Sequence, residues 1–225
     1  MRTRQSAWLL GAVVSLAAAT PGSAAEMRFG VIGGAVFAKV PALPANVVGL
    51  GPGQTYVAAR RTGFTGGGAV EWEISNIGTL RVEPRFVQKG SEFDRFIADR
   101  ATGKPSGAAV SSGEVILSYL DVPAMFRSEY LKKKPVQIYV MTGIGPNFLL
   151  SAKSGGRDVK NSFKGVEFGL VSCVGLMRKT DRVHVSLDFR IGTTFIGTRI
   201  DDPAQTNKSK NNSYQTTIGL TFPKK

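Results

Sequence analysis

The chain has 225 residues, of which 42% are hydrophobic and 20% charged, so it can build a folded core and is not a disordered protein. Its only cysteine, Cys173, excludes both a disulfide-stabilised scaffold and a zinc site built from several thiolates. The formal net charge of +13 is typical of a protein that meets a polyanion, either nucleic acid or the phosphates of a membrane surface.

The first 25 residues have the three parts of a secretory signal peptide. Arg2 and Arg4 precede an apolar run over residues 7–19, and small residues follow as far as Ala25, where we expect cleavage. The run is shorter than the roughly 20 apolar residues that a membrane-spanning helix needs. The mature domain is then residues 26–225, and an exported protein does not meet genomic DNA. We therefore expect no nucleic-acid partner.

Alternation of apolar and polar residues predicts an all-β domain. Residues 136–151 show the pattern best, with Ile138 and Val140 on one face and Gln137 and Tyr139 on the other. A period of two is the spacing at which side chains point to opposite faces of a strand. The pattern predicts eight strands, at residues 27–38, 65–74, 80–89, 116–127, 136–151, 166–176, 183–195 and 214–222.

The predicted connections alternate between long and short, as in an up-and-down meander. Transmembrane barrels of the outer membrane have this asymmetry, with long external loops and short periplasmic turns, so both termini would lie in the periplasm. The long connections are residues 39–63, 90–112, 153–162 and 198–211, and the short ones are residues 75–78, 129–135 and 179–182.

The two faces of the predicted strands favour a membrane barrel over a soluble one. A wall in hydrocarbon must be apolar, a narrow lumen can hold polar side chains, and only a closed sheet pairs every backbone group. A secreted soluble ligand-binding barrel would be built the other way round and stays an alternative. The side chains expected to face lipid are Val82, Phe86, Leu120, Val122, Ile138, Val140, Ile144, Phe148, Phe168, Leu170, Leu187, Phe189, Ile191, Ile218, Leu220 and Phe222.

The opposite face carries charges of both signs, which predicts a polar network inside an eight-stranded antiparallel barrel. Buried charges persist only when paired and hydrogen-bonded, so we expect Glu71 and Glu73 to pair with Arg81 and Arg85, Asp121 with Arg127, and Asp188 with Arg190. Eight strands enclose a lumen just wide enough for side chains to fill, so a wide pore is not expected. The predicted lumen residues are Glu71, Glu73, Arg81, Glu83, Arg85, Tyr119, Asp121, Arg127, Tyr139, Glu167, His184, Asp188 and Arg190.

Several segments together resemble a known family. They are the glycine-rich first strands, the Tyr-Leu-Asp-Val-Pro segment at residues 119–123, the Gly143-x-Gly145 strand and the terminal strand that ends at Phe222. In their order and spacing they resemble the small bacterial outer-membrane β-barrel proteins (PorT-like, "porin family") over residues 27–222. The resemblance implies a bacterial outer-membrane location but not that the protein conducts solutes. Pro84 departs from the pattern and should mark an irregular position.

An enzyme is the main functional alternative. His184, Ser186 and Asp188 share one strand face, so an outer-membrane lipid hydrolase of the lipid A deacylase type could use His184 as base and Ser186 as nucleophile. Side chains two residues apart on a strand are roughly 6.5–7 Å apart, which is long for a direct hydrogen bond, and these three point into the lumen. We therefore expect no enzyme, no metal and no cofactor.

The excess positive charge lies mainly in the connections. Each such charge is worth roughly 1 kcal/mol near an anionic membrane surface, so outer-membrane lipids, including lipopolysaccharide phosphates, are the expected partners of a monomeric barrel with a structural or loop-mediated binding role. The short turns carry Lys132, Lys133, Lys134, Arg178, Lys179 and Arg182, and the long loops carry Arg60, Arg61, Lys153, Arg157, Lys160, Lys164, Lys208 and Lys210.

Overall fold

The computed structural model describes residues 27–75, 78–131, 134–194 and 212–222. No helix in these ranges is long and apolar enough to cross a membrane. The described strands are β1 (Met27–Lys39), β2 (Gln54–Ser75), β3 (Gly78–Val82), β4 (Arg85–Ala98), β5 (Pro105–Asp121), β6 (Ala124–Tyr130), β7 (Val136–Ser154), β8 (Arg157–Asp158), β9 (Val166–Lys179), β10 (His184–Thr194) and β11 (Asn212–Phe222), with one short helix, α1 (Ala45–Val48), and a single 3-10 turn at Lys160–Ser162.

Antiparallel pairing closes the sheet into a ring. Around the wall, β1 pairs with β11, β11 with β10, β10 with β9, β9 with β7 and, on the other side, β1 with β2. Strand β7 pairs with β6 over residues 138–144 and with β5 over residues 147–154. In the same way, β2 pairs with β4 over residues 54–67 and with β3 over residues 70–75. Because β3 with β4 and β5 with β6 each form one wall element, the predicted eight-stranded up-and-down barrel is confirmed.

Two of the eight wall elements are interrupted at proline. The predicted irregularity at Pro84 is confirmed, since β3 ends at Val82 and β4 begins at Arg85. A second interruption lies at Pro123, between β5 and β6. Proline cannot donate to a strand ladder, but its carbonyl still accepts. The Glu83 amide donates to the Pro123 carbonyl at 3.1 Å, so the wall stays closed where both strands break.

The strands extend further at the outer end than the alternation predicts. Residues 39–63 and 90–112 were predicted to be loops, which is wrong: β2 begins at Gln54, β4 reaches Ala98 and β5 begins at Pro105, so residues 99–104 alone connect β4 to β5. The physical reason is that the extension buries few side chains: residues 105–110 are exposed throughout, and Ala58, Ser91 and Phe93 are, with Gly90, the buried residues of its β2 and β4 parts. A strand segment with few buried side chains shows little alternation.

The third predicted loop is also shorter, because β7 runs on to Ser154 and the connection to β9 contains β8 and the 3-10 turn. The predicted loop at residues 198–211 lies outside the described residues, as do parts of two of the short turns.

Side chains sort by face as the alternation predicts. All of the predicted lipid-facing side chains lie on the outer wall, and none of them is buried; Ile144 is 62% exposed and Phe189 is 55% exposed. On the inner face, by contrast, Tyr139 is fully buried and Arg190 is 1% exposed. The barrel therefore presents an apolar exterior and an interior rich in charge.

A glycine lets one aromatic side chain reach along the inner face of the wall, past one strand to the next. Tyr139 on β7, Gly175 on β9 and Asp188 on β10 stand directly opposite one another in the sheet. The Tyr139 ring lies over Gly175 and its hydroxyl donates to the Asp188 carboxylate. A Cβ at position 175 would lie 2.3 Å from the ring carbon Cζ, so only glycine leaves room for this contact.

Gly175→Ala is accordingly expected to destabilise the barrel by about 1–3 kcal/mol, because the added methyl group would displace the Tyr139 ring, whose hydroxyl is bonded to Asp188. Urea unfolding of the refolded protein in lipid vesicles, followed by circular dichroism, measures the change. Gly165→Ala is the control, since a Cβ there meets nothing within 4 Å. Equal unfolding midpoints for the two variants would contradict the packing argument.

Candidate functional site

Glu83 lies at the centre of the lumen and contacts three arginines. Both terminal nitrogens of Arg190 donate to its carboxylate, Arg81 Nε lies 2.6 Å from Oε1, and Arg85 Nη1 lies 3.7 Å from Oε2. Each of these four side chains is at most 1% exposed. A buried carboxylate survives in such a place only because the guanidinium groups compensate its charge, and it compensates theirs in turn.

Asp188 extends this layer toward β7 and β11. Its carboxylate accepts from Arg190 and from the Tyr139 hydroxyl, and Thr217 Oγ1 donates to Oδ2 at 3.2 Å. The side chain is completely buried. With three donors from three strands, this carboxylate is held in one orientation, and its predicted pairing with Arg190 is present.

A second charged layer lies nearer the end of the barrel where the short turns are found. Glu71 accepts from Arg81 at 2.8 Å and from both terminal nitrogens of Arg127, at 2.7 and 3.1 Å. Arg127 also contacts Glu129 at 3.0 Å, and Glu129 in turn accepts from Lys179 at 2.7 Å. Alternating signs therefore continue from the buried interior to the partly exposed Lys179.

A third layer lies on the outer side of Glu83. Asp121 contacts Lys89 at 3.2 Å and Arg85 Nη2 at 3.8 Å. The Lys89 ammonium lies 5.0 Å from the centre of the Tyr119 ring, and the Tyr119 hydroxyl donates to Glu167 at 3.4 Å. Between these side chains and β9 to β11 a polar pocket of about 10 Å³ remains, which is room for about one water molecule.

The pairing differs in part from what the sequence predicts. Glu71 does pair with Arg81, but the predicted Asp121 and Arg127 pair is wrong, because the two residues are six positions apart along one wall, about 20 Å, and their side chains contact different layers. Glu73 is not inside the lumen; its side chain is 43% exposed at the inner mouth, where it accepts from Arg28 at 2.6 Å. Alternation predicts on which face of a strand a side chain lies, but not where along the barrel axis the lumen ends.

The remaining predicted lumen side chains, Tyr119, Glu167 and His184, are all buried on the inner face. Lumen groups that the prediction omitted include Lys89 and Arg28, which share the inward parity of their strands and could have been found by it. The lumen also holds an apolar cluster that a polar lumen does not predict, namely Met125, Tyr139, Met141, Val171, Cys173 and Met177.

An apolar cap closes the outer end of the lumen. The segment that carries α1 folds back between the strands, and its residues Leu43 and Val47 are buried against Phe93, Leu117 and other inward side chains of β4, β5 and β7. Polar contacts fix it in place: the Leu43 amide donates to the Tyr56 hydroxyl at 2.5 Å, the Val40 amide to Ser91 Oγ at 2.5 Å, and Ser154 Oγ to the Val47 carbonyl at 2.8 Å. We call residues 40–50 the cap segment.

The three candidate catalytic residues do not form a hydrolytic site. His184, Ser186 and Asp188 all point into the lumen and are at most 8% exposed. No hydrogen bond joins His184 to Ser186 in the described part of the chain, and Asp188 is engaged by Arg190, Tyr139 and Thr217 instead of by the histidine. A nucleophile needs a base within hydrogen-bond reach and a substrate that can approach it, and neither condition is met.

The basic residues of the connections differ in how far they are neutralised. Arg61 pairs with Glu114 at 2.8 Å, and the Lys160 ammonium donates to the Leu150 carbonyl at 3.0 Å. Arg60 instead lies over the ring of Tyr214, with its guanidinium carbon 4.9 Å from the ring centre. Lys132, Lys133, Lys208 and Lys210 lie outside the described residues.

Comparison with known proteins agrees with the architecture. Residues 23–222 match a family model described as outer membrane protein beta-barrel domain, and no functionally curated protein matches the sequence. Similar solved structures include Neisserial surface protein A (TM-score 0.48, 18% identity, covering 87% of this chain and 97% of that one), Escherichia coli outer membrane protein W (0.43, 15%, 91% and 100%) and Yersinia pestis Ail in complex with the heparin analogue sucrose octasulfate (0.41, 13%, 88% and 99%).

Glu83→Gln is expected to destabilise the barrel by about 3–5 kcal/mol, because it removes the shared anion and leaves three buried guanidinium groups with excess positive charge. Glu73→Gln removes the same charge from a carboxylate whose side chain is 43% exposed to solvent, so it should cost less, about 1 kcal/mol. Urea midpoints measured on the two variants side by side test the difference. A loss in Glu83→Gln no larger than that in Glu73→Gln would show that the central layer is not held by this carboxylate.

Proposed function

Because the chain belongs to the outer membrane protein β-barrel domain family, and is thus a protein of the bacterial outer membrane, we propose that it acts through its external surface rather than through its lumen. The finer likeness to PorT-like proteins rests on the order and spacing of sequence segments. In this proposal the barrel is a rigid, closed support with a structural or loop-mediated binding role.

The observation that carries the proposal is that the described lumen is filled at two levels. In the middle, Glu83 and Arg190 join opposite walls across the lumen, because β10 stands four places from β3 and β4 around the ring. At the outer end, the cap segment packs into an apolar cluster. An aqueous channel needs a continuous polar path, whereas barrels of eight strands have lumens that side chains fill.

Export and orientation follow the usual scheme of such barrels. We place the signal peptide at residues 1–25, with cleavage after Ala25, and both termini in the periplasm. The cap segment then closes the lumen at its external end, and the β4 to β5 hairpin projects outside the cell. We propose a monomer, because the pairing of β1 with β11 closes the ring within one chain and leaves no barrel edge for a second copy.

The external surface is the place where partners would bind. The β5 part of the extension carries small side chains, and its residues 105–110 are exposed throughout. Basic side chains such as Lys153, Arg157 and Lys164 lie in or beside the outer connections, where phosphates of the outer leaflet are found. We propose outer-membrane lipids, including phosphorylated lipopolysaccharide, as the first class of partner.

A closed lumen predicts that the purified protein in planar lipid bilayers shows no stable conductance of the size that sixteen-stranded porins give. Removal of the cap segment alone, replaced by a short Gly-Ser linker, should leave this result unchanged, because the Glu83 and Asp188 layers still fill the lumen. Heat-modifiability on gels, which compares boiled with unboiled samples, confirms that each protein inserted is folded. Wide, stable channels in the unaltered protein would overturn the proposal.

The lipid hydrolase alternative makes a separate prediction. Incubated with lipopolysaccharide or phospholipid, the folded protein should release no fatty acid, and His184→Ala and Ser186→Ala should match it. Release of fatty acid that disappears in either variant would assign catalysis to these residues. Asp188→Asn is the reference variant for a loss of stability, because it changes a carboxylate that accepts three hydrogen bonds and leaves His184 and Ser186 in place.

A further inference from the structure

Three adjacent strands form a small pocket on the outer wall, at the external end of the barrel. Lys39 ends β1, Arg60 comes from β2, and Asn212 and Tyr214 begin β11. With Pro41 they line a hollow of about 100 Å³. Tyr214 shares the outward parity of Ile218 and Phe222, whereas its neighbours Ser213 and Gln215 line the lumen, so the pocket opens on the wall and not into the barrel.

The pocket lies at the upper boundary of the apolar wall. On β1 the outward apolar side chains run from Met27, which is paired with Trp72 on β2, to Phe37, which is paired with Tyr214. Ten residue steps of strand are about 34 Å long, or roughly 26 Å along the membrane normal at a tilt near 40°, which is close to the height of a barrel's apolar band. Lys39 is the next outward position, so its ammonium reaches the level of the head groups.

The pocket's two cations have no carboxylate partner within salt-bridge distance among the described residues. Arg60 instead lies over the Tyr214 ring, 4.9 Å from its centre, which orders the guanidinium without neutralising its charge. Its neighbour Arg61 is the contrast, since Glu114 accepts from it at 2.8 Å. Two cations without a carboxylate partner, next to the hydrogen-bond donors of Asn212 and Tyr214, make a site that attracts a doubly charged anion.

We propose that this pocket binds a phosphate group of an outer-leaflet glycolipid of the lipid A class. Lys39 and Arg60 supply the charge, and the Asn212 amide and the Tyr214 hydroxyl supply further donors. The acyl chains lie along Phe37, which is paired with Tyr214, and along Ile218, four residues further down β11. The inference rests on the proposed contact with outer-leaflet lipids and assigns it to one site. Arginine and lysine at this level are the groups that recognise lipid phosphates.

A lipid fits this position better than a soluble anion does. The pocket adjoins exposed apolar side chains opposite Tyr214, of which Phe37 on β1 is 40% and Ile191 on β10 is 55% exposed, and these would contact hydrocarbon in the membrane. A soluble phosphate gains nothing from that surface, whereas an amphiphile gains both the ionic and the apolar contacts. A preference for the lipid over inorganic phosphate therefore distinguishes a lipid head group from a soluble anion as the source of the phosphate.

The test uses the full mature chain, folded in detergent, and native mass spectrometry with diphosphorylated lipid A, the same glycolipid without phosphates, and inorganic phosphate as competitor. The variants are Lys39→Gln with Arg60→Gln and, as a matched control that removes two cations at the opposite end, Arg178→Gln with Arg182→Gln. We expect the diphosphorylated lipid to bind about tenfold or more tightly than the dephosphorylated one. This preference should be lost in the first pair and kept in the second, and millimolar phosphate should not displace the lipid.

Each other result overturns the inference in a recognisable way. A phosphate preference that survives in the Lys39 and Arg60 variant leaves lipid binding in place but assigns it elsewhere. No preference for the phosphorylated lipid in the unaltered protein removes the proposed lipid contact as well. Displacement by inorganic phosphate alone identifies a soluble-anion site. Heat-modifiability shows that both variants are folded, as expected for substitutions of outward-facing side chains.

Discussion

The contact between Glu83 and three arginines holds the centre of the barrel, and most of the lumen is arranged around it. Arg81 lies on β3, Arg85 begins β4 and Glu83 lies at the interruption between them, so the carboxylate stands between two guanidinium groups of its own wall. Arg190 reaches the same carboxylate from the opposite wall. One side chain therefore joins both sides of the ring, and the lumen is filled across its full diameter.

A closed ring with a hydrocarbon-facing exterior forces this arrangement. Strand alternation sends every second side chain inward, and eight strands leave too little room for bulk water around those side chains. The charges must then neutralise one another, which they do in layers through Glu71, Glu83 and Asp121. Buried ion pairs are weak sources of net stability, so we regard the layers chiefly as a constraint that fixes register and lumen packing.

The sequence predicts the wall of this barrel far better than its contents. Strand positions and faces follow from alternation, which is a local property, and Pro84 is recognisable because proline cannot donate to a ladder. Which charges meet is a matter of distances across the ring, so the predicted Asp121 and Arg127 pair was wrong. Tyr139 reaches Asp188 only because Gly175 lies between them, a relation between three strands that no single segment contains.

The outer end was the least predictable part for a related reason. Alternation reports a strand with one buried face, and the extension of β2, β4 and β5 buries few side chains, with residues 105–110 exposed throughout, so its residues resemble a loop. The cap segment is apolar without a period, and nothing in its sequence says that it folds into the lumen. Both features depend on where the membrane ends, which alternation does not record.

The membrane boundary also separates the part of the barrel that stabilises the fold from the part where ligands would bind. Inside, paired charges such as Glu83 and Arg190 are satisfied by one another and have little capacity left for a ligand. At the outer rim the wall no longer has to be apolar and the lumen no longer has to be neutral, so Lys39 and Arg60, which have no carboxylate partner among the described residues, lie there at low cost. A charge beside an apolar wall is what an amphiphilic anion recognises, which is why the proposed lipid contact is assigned to this rim.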